Sequence, residues 1–402
     1  MDEYEEYFQT ICKVSNWDWY EERVVDMSSF KNGSFCLLFK DNIMYYSKHY
    51  EYLYEFSLDY NPTHLLTLTI NSELYVVIRN SKSIYLYLLK DEFLYKTQIH
   101  LMSDIDHWTK TKDNQIIICS KNKISFYKIY NNYIIKSQND VIIDEETYIE
   151  NSLYFKNKKE TNIKAKKNSE ENTNSHNLSV VKIFESDDDY IIIIKQVIDE
   201  IENYVGETDD CPCCSYYIVE QTNVILLSMV KLNKKEKKMK IIYEIEFKNI
   251  YKYYEPPYGE YTKINSMEYF DKSICDSIGF SKNKVLVYIP QLNNVKIIDI
   301  NSSFGHKYES FLYTSGEDIV RYKIIVISEK CFLRIKYEYD KDLGDIDYTE
   351  LSFIYNNKKN HVAKFYRNLD DIPFIKKMNS LLFVLTQNNL TISKQIINNN
   401  DN

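Results

Sequence analysis

The feature that most constrains this chain is a recurrence of short apolar segments at steps of about forty residues. Phe35 to Phe39, Ile43 to Ser47 and Leu53 to Leu58 are separated by the polar turns Lys40-Asp41-Asn42 and Lys48-His49. The same order returns as Leu74 to Ile78, Ile84 to Leu89 and Phe93 to Ile99, and again as Gln115 to Cys119, Ile124 to Ile129 and Tyr133 to Lys136. The triplets thus begin at Phe35, Leu74 and Gln115, which sets the repeat length. Each triplet follows another apolar stretch: Val24 to Met27, His64 to Ile70, and a weaker one around Ile105. Runs this short, bounded by turn residues, are strand signals, so the chain is read as repeats of four strands.

Four strands in a repeat of this length is the blade of a β-propeller. The downstream chain parses the same way. Val180 to Phe184 goes with Tyr190 to Ile198, and Tyr216 to Val219 with Val224 to Leu232 and Met239 to Phe247. Ser277 to Phe280, Lys284 to Ile289 and Val295 to Ile300 follow, then Tyr322 to Ser328, Cys331 to Tyr339 and Tyr348 to Tyr355. The last unit has Val362 to Tyr366, Leu381 to Leu385 and Leu390 to Gln395. The prediction is an all-β fold: one propeller domain over residues 1–402, with about seven four-stranded blades. The orphan segment Tyr7 to Val14 is expected to pair with the last unit and close the ring, which removes exposed sheet edges. Residues 156–178, rich in Lys, Asn, Glu and Ser, read as a disordered insertion, and 397–402 as a frayed tail. The best helix candidates, Asp2 to Cys12 and Gln196 to Tyr204, are short and do not repeat.

Composition supports strands over helices. Alanine, the best helix former, occurs only at Ala165 and Ala363, whereas Tyr reaches 38. Few Arg, Gly and Pro beside abundant Asn, Lys, Ile and Tyr resemble proteins of AT-rich genomes such as those of apicomplexan parasites, so part of this skew reflects codon usage. The net charge of −9 gives no broad electrostatic footprint for nucleic acid or anionic lipid and argues against nucleic acid as a direct ligand. The N-terminus lacks a secretory signal, and no apolar run approaches the about eighteen residues of a membrane span. With eight cysteines and no signal, reduced thiols and a cytoplasmic or nuclear location are expected.

Blades of this length resemble the WD40-repeat class of propellers. The signature pairs of that class are nearly absent: Trp-Asp occurs at Trp17-Asp18, before the first unit, and Gly-His at Gly305-His306. The resemblance is to a degenerate WD40-like propeller and implies the fold, with no functional residue carried over.

Few local motifs point to chemistry. Cys211-Pro212-Cys213-Cys214 places three thiols within four residues, a weak metal candidate without the second ligand pair of a structural zinc site. No glycine-rich phosphate loop is present, and no histidine lies in a nucleophile motif, so no catalytic residue and no cofactor are assigned. His107-Trp108 reads as an ordinary turn, with a polar contact between blades as the alternative. Candidate partner-binding residues are Trp17, Trp19 and Tyr20, which alternatively plug the ring, and Lys234, Lys235, Lys237 and Lys238 in a basic hairpin tip.

The expected function is a non-enzymatic scaffold that binds other proteins of a multi-subunit complex through a Tyr-rich surface. The alternatives are a propeller enzyme or small-ligand binder using the central channel, recognisable by convergent ionisable groups, and an RNA-associated propeller.

Overall fold

A computed structural model of the chain describes residues 8–15, 24–158, 174–206, 216–236, 238–255, 274–292, 294–301, 307–312, 319–328, 331–339, 346–355, 358–366, 374–378, 381–386 and 389–395. The first strand, β1 (Phe8–Ser15), is followed by three regular antiparallel sheets. These are β2 (Asp26–Ser29), β3 (Phe35–Leu38), β4 (Asn42–Tyr46) and β5 (Tyr52–Ser57); β6 (His64–Ile70), β7 (Glu73–Arg79), β8 (Ser83–Leu89) and β9 (Phe93–His100); and β10 (His107–Lys110), β11 (Ile116–Ser120), β12 (Lys123–Tyr130) and β13 (Tyr133–Ile142). In each, sequential strands are neighbours, because short turns leave antiparallel pairing as the available connection.

The fourth sheet is larger. β14 (Asn174–Glu185), β15 (Asp189–Gly206), β16 (Tyr216–Asn233) and β17 (Met239–Glu255) are antiparallel. The fifth holds β18 (Ile278–Ser281), β19 (Lys284–Ile289) and β20 (Asn294–Asp299). β21 (Lys307–Leu312) then returns to lie parallel to β17 at the edge of the fourth sheet. The sixth sheet is β22 (Ile319–Ser328), β23 (Cys331–Tyr339), β24 (Ile346–Tyr355) and β25 (Lys358–Tyr366). In the last, β26 (Phe374–Met378), β27 (Leu381–Thr386) and β28 (Asn389–Gln395) are completed by β1, which pairs antiparallel with β28.

The apolar runs are continuous rather than alternating because the middle strands are buried on both faces. In β15, Ile192 and Ile194 join a cluster with the third sheet, whereas Ile191 and Ile193 join one with the fifth. In β7, Val76 and Ile78 face the first sheet's cluster, and Tyr75 and Val77 the third's. In β3, Phe35 and Leu37 meet Phe383 and Leu385 of the last sheet. Further clusters join the fifth sheet to the sixth and the sixth to the last. Each sheet thus packs face to face on the next, and the fold is a β-propeller. Full burial of an Ile or Leu contributes about 1.5–3 kcal/mol, so these inter-sheet faces carry most of the stabilisation.

Close approach imposes one residue choice. A Cβ on Gly279 of β18 would collide with the Val326 side chain of β22, so only glycine fits that contact. A polar lock reinforces the same pair of sheets. Buried Arg334 donates to Tyr288 Oη at 2.8 Å, Glu350 Oε1 at 2.7 Å and Ser352 Oγ at 3.1 Å.

Several boundaries differ from the sequence reading. Gln196 to Tyr204 is strand, not helix, because all of β15 pairs with β16 from Asp189↔Asn233 to Gly206↔Tyr216. Residues 8–12 of the other helix candidate are strand as well. Tyr216 to Val219 and Val224 to Leu232 are one continuous strand, β16. Val362 to Tyr366 lies in β25, so the last sheet begins at Phe374 instead. Of the expected insertion, residues 156–158 are helical and 174–178 belong to β14; the rest of it, and the 397–402 tail, lie outside the described residues. The sequence reading also missed α1 (Glu145–Asn151), which is capped by Asp144 accepting from Thr147 N at 2.8 Å. A following turn at 153–158 is anchored by buried Glu244, whose Oε2 accepts from Leu153 N and, at 3.1 Å, from Tyr154 N.

Candidate functional site

Each sheet has an edge strand that opens its repeat: β2, β6, β10, β14, β18, β22 and β26. An edge strand carries unpaired carbonyls and amides, and here side chains from neighbouring sheets meet them. Asp26 Oδ2 accepts from Leu65 N at 2.9 Å, and Ser28 Oγ from Thr67 N at 3.1 Å. Lys110 Nζ donates to Thr67 O at 2.6 Å, and Lys182 Nζ to Ile278 O at 2.6 Å. Lys377 Nζ bridges Val326 O and Ile327 O at 3.0 and 2.7 Å, and Lys376 Nζ reaches Asp26 Oδ1 at 2.5 Å. These contacts place the edges side by side as the inner strands of the propeller.

Ionisable groups from six of the sheets, and Asp276 from the turn before the fifth, converge there: Asp26, His64, His107, Lys110, Lys182, Asp276, Arg321, Lys323 and Lys376. Burial pushes Lys110 and Lys182 down to about 8, and it lowers Lys323 as well. Burial, with help from Arg79, holds His64 down to about 4; burial, then Lys182 and Arg79, hold His107 to about 3. His64 and Lys110 nonetheless touch solvent. Asp276 pairs with Arg321 and Asp26 with Lys376, so among the described residues the cations are in excess.

The sequence-selected residues fall elsewhere. Lys234 is bound within the chain, to Glu185 Oε1 at 3.1 Å and Ser186 O at 2.7 Å, with its ammonium 4.9 Å from the Tyr190 ring centroid. Lys231 pairs with Asp189 at 3.0 Å. Lys235 and Lys238 are exposed, with Lys238 3.3 Å from Glu236. The basic tip is therefore a tight turn between β16 and β17, partly neutralised by the 185–189 turn. Trp17, Trp19, Tyr20, Lys237, Cys211, Cys213 and Cys214 lie outside the described residues. Among the described residues no group of three His, Cys, Asp or Glu is placed to hold a metal, and no helix is long and apolar enough to cross a membrane. His107-Trp108 is no turn: it opens β10, with buried Trp108 beneath the Arg79 guanidinium of the second sheet at 5.5 Å. Arg79 also donates to Ile105 O at 2.7 Å, so this is the contact between blades that the sequence offered as the alternative.

The tyrosines divide between core and surface. Tyr45, Tyr46, Tyr75, Tyr87 and Tyr288 are buried, so much of the Tyr content is core rather than surface. Tyr52, Tyr95 and Tyr133 are 53%, 55% and 61% exposed. They lie on β5, β9 and β13, the outermost strands of three consecutive sheets, with exposed Leu53 next to Tyr52.

No family model and no curated protein matches the chain. Solved structures similar to it are β-propellers. The AfRom2 CNH domain is 7% identical over 98% of this chain and 100% of its own, with a TM-score of 0.45. A streptogramin B lyase is 9% identical over 97% and 99%, with a TM-score of 0.42. BBS1N, solved in complex with ARL6DN, is 10% identical over 98% of each chain, with a TM-score of 0.41. Identities and scores this low add nothing to the sheet topology, on which the fold rests.

Proposed function

We propose that the chain is a non-enzymatic scaffold: a single propeller, closed by the β1–β28 pairing, that binds other proteins of a cytoplasmic or nuclear assembly. The observation that carries this reading is the row of exposed Tyr52, Tyr95 and Tyr133 on the outermost strands of the first three sheets. Tyrosine offers a large, rigid contact area with a hydroxyl that tolerates water, so an exposed row of it suits a protein interface.

The test is affinity purification of a tagged full-length chain at native expression, with native sizing. A stoichiometric assembly is expected, and Tyr52→Ser, Tyr95→Ser and Tyr133→Ser combined should release it without unfolding the chain. A bare 48.2 kDa monomer would overturn the proposal.

A further inference from the structure

We infer that the inner strands form an anion site whose ligand is a compact, multiply charged oxyanion of phosphate type, held by Lys110, Lys182, Lys323 and Lys376. This goes beyond the scaffold reading and does not depend on it.

The argument is one of charge balance inside a confined space. Among the described residues of the inner-strand cluster, the cations Arg79, Lys110, Lys182, Arg321, Lys323 and Lys376 face three carboxylates, Asp26, Asp106 and Asp276. The imidazoles of His64 and His107 do not redress this, because they carry no compensating negative charge. The excess stands in a protein whose net charge is −9, so it is local and opposite to the surface as a whole.

Two of the lysines are committed to backbone: Lys110 to Thr67 O and Lys182 to Ile278 O. A neutral carbonyl satisfies one of an ammonium's three donors and does not neutralise it. Lys323 differs from both. It makes no hydrogen bond or ion pair among the described residues, although its ammonium lies within electrostatic range of Asp276, Lys376, Arg321 and Asp26. Retaining unpaired charge in a desolvated place is costly, and a bound anion removes that cost.

The geometry sets the ligand class. The donors come from inner strands of the third, fourth, sixth and last sheets, and Lys182 with Lys323, Lys323 with Lys376, and Lys376 with Lys110 lie within electrostatic range, so a ligand with several anionic oxygens can reach more than one of them. Lysine meets phosphate oxygens as a flexible point charge, without requiring the planar fork that a carboxylate and arginine share. Side chains of neighbouring sheets already occupy edge groups of these strands, among them Leu65 N, Thr67 N, Thr67 O and Ile278 O, which interrupts the ladder on which an extended peptide could add as a strand.

The test uses the full chain and inorganic pyrophosphate, with orthophosphate as the less charged comparison. Calorimetric titration should show pyrophosphate binding at least tenfold tighter than orthophosphate, and pyrophosphate should raise the thermal midpoint. Lys323→Met should weaken binding at least tenfold and abolish the thermal rise, while its ligand-free midpoint stays equal or increases. Lys90→Met, in an exposed turn, should change neither. A second arm uses phosphatidylcholine vesicles with and without a lipid bearing a bisphosphorylated headgroup. Co-sedimentation lost in Lys323→Met identifies the source as a headgroup, and no co-sedimentation beside tight pyrophosphate binding identifies a free molecule. The inference is overturned if pyrophosphate gives neither heat nor a thermal shift. It is equally overturned if Lys323→Met binds like the unmodified chain, or if an acidic peptide binds through Lys323 where pyrophosphate does not.

Discussion

The first three sheets and the fourth solve the same packing problem with different amounts of chain. Strands of the first three range from the short β2 to β13, the longest at 10 residues, whereas β15 and β16 each have 18 residues and β17 has 17. Among the described side chains, the buried residues of the fourth sheet occupy stretches much like those of its neighbours. In β15 they run from Tyr190 to Ile198, in β16 from Val224 to Leu232, and in β17 from Ile241 to Phe247. A blade needs only enough strand to cover the face of the next sheet. The backbone ladder of β15, β16 and β17 runs on beyond these stretches, in β15 from Asp199 to Gly206 and so by about 26 Å at a strand's rise.

Ile193→Ala tests the packed half and has the largest expected effect. Ile193 is fully buried between the fourth and fifth sheets, so denaturant unfolding should show a loss of about 2–5 kcal/mol. A loss below the lower bound would mean that the sheets do not support one another as described.

Acid titration probes the regular sheets, where His64 and His107 lie. Their folded pKa values, about 4 and about 3, sit below the ordinary histidine value of 6.5. As pH falls below 6.5 the unfolded chain takes up protons that the folded chain refuses, so stability drops progressively until the folded histidines themselves titrate. Unfolding midpoints should therefore decline between pH 6.5 and 4, and His107→Gln should flatten part of that decline. An unchanged slope in the variant would assign the decline to other groups.

Smaller effects distinguish the two halves of the long sheet. Gln196 is fully buried in β15, and neither its Oε1 nor its Nε2 has a partner among the described residues. Gln196→Leu should stabilise the chain by about 1–2 kcal/mol in urea titration, since an unsatisfied buried amide is removed. Deleting 199–223 and joining Ile198 to Val224, which lie opposite each other, through an Asn-Gly turn should cost less than about 1 kcal/mol. A cost comparable to Ile193→Ala would show that the extension is part of the core.

The regular sheets were also the legible ones. Their turns, such as Asn80-Ser81-Lys82-Ser83, stand out against apolar runs, and His64 to Ile70 matches β6 at both ends. The long sheet misled where polar residues interrupt its strands. Gln196, Asp199 and Glu200 break the apolar run of β15 and give Gln196 to Tyr204 a helical look, which the uninterrupted ladder to β16 overrides. α1 had a signal, an Asp followed by two Glu at the start of a helix, which the strand pattern around it obscured. Convergent ionisable groups were among the expectations, but which residues supply them could not be read in advance. Lys110, Lys182, Lys323 and Lys376 lie in separate strands, distant from one another in the sequence, and only the propeller topology brings them together.

The pairing of β1 with β28 also has a meaning in time. A ribosome releases Phe8 long before its partner Gln395, and at about 5–20 residues per second the interval is of order 20–80 s. Throughout that interval the nascent chain holds an unpaired strand at one end while the sheet that will receive it does not yet exist. Nascent copies on the same messenger present identical unpaired segments to one another, so the vulnerable stage for misassembly is synthesis itself, and chaperone demand should fall sharply once the last strand emerges.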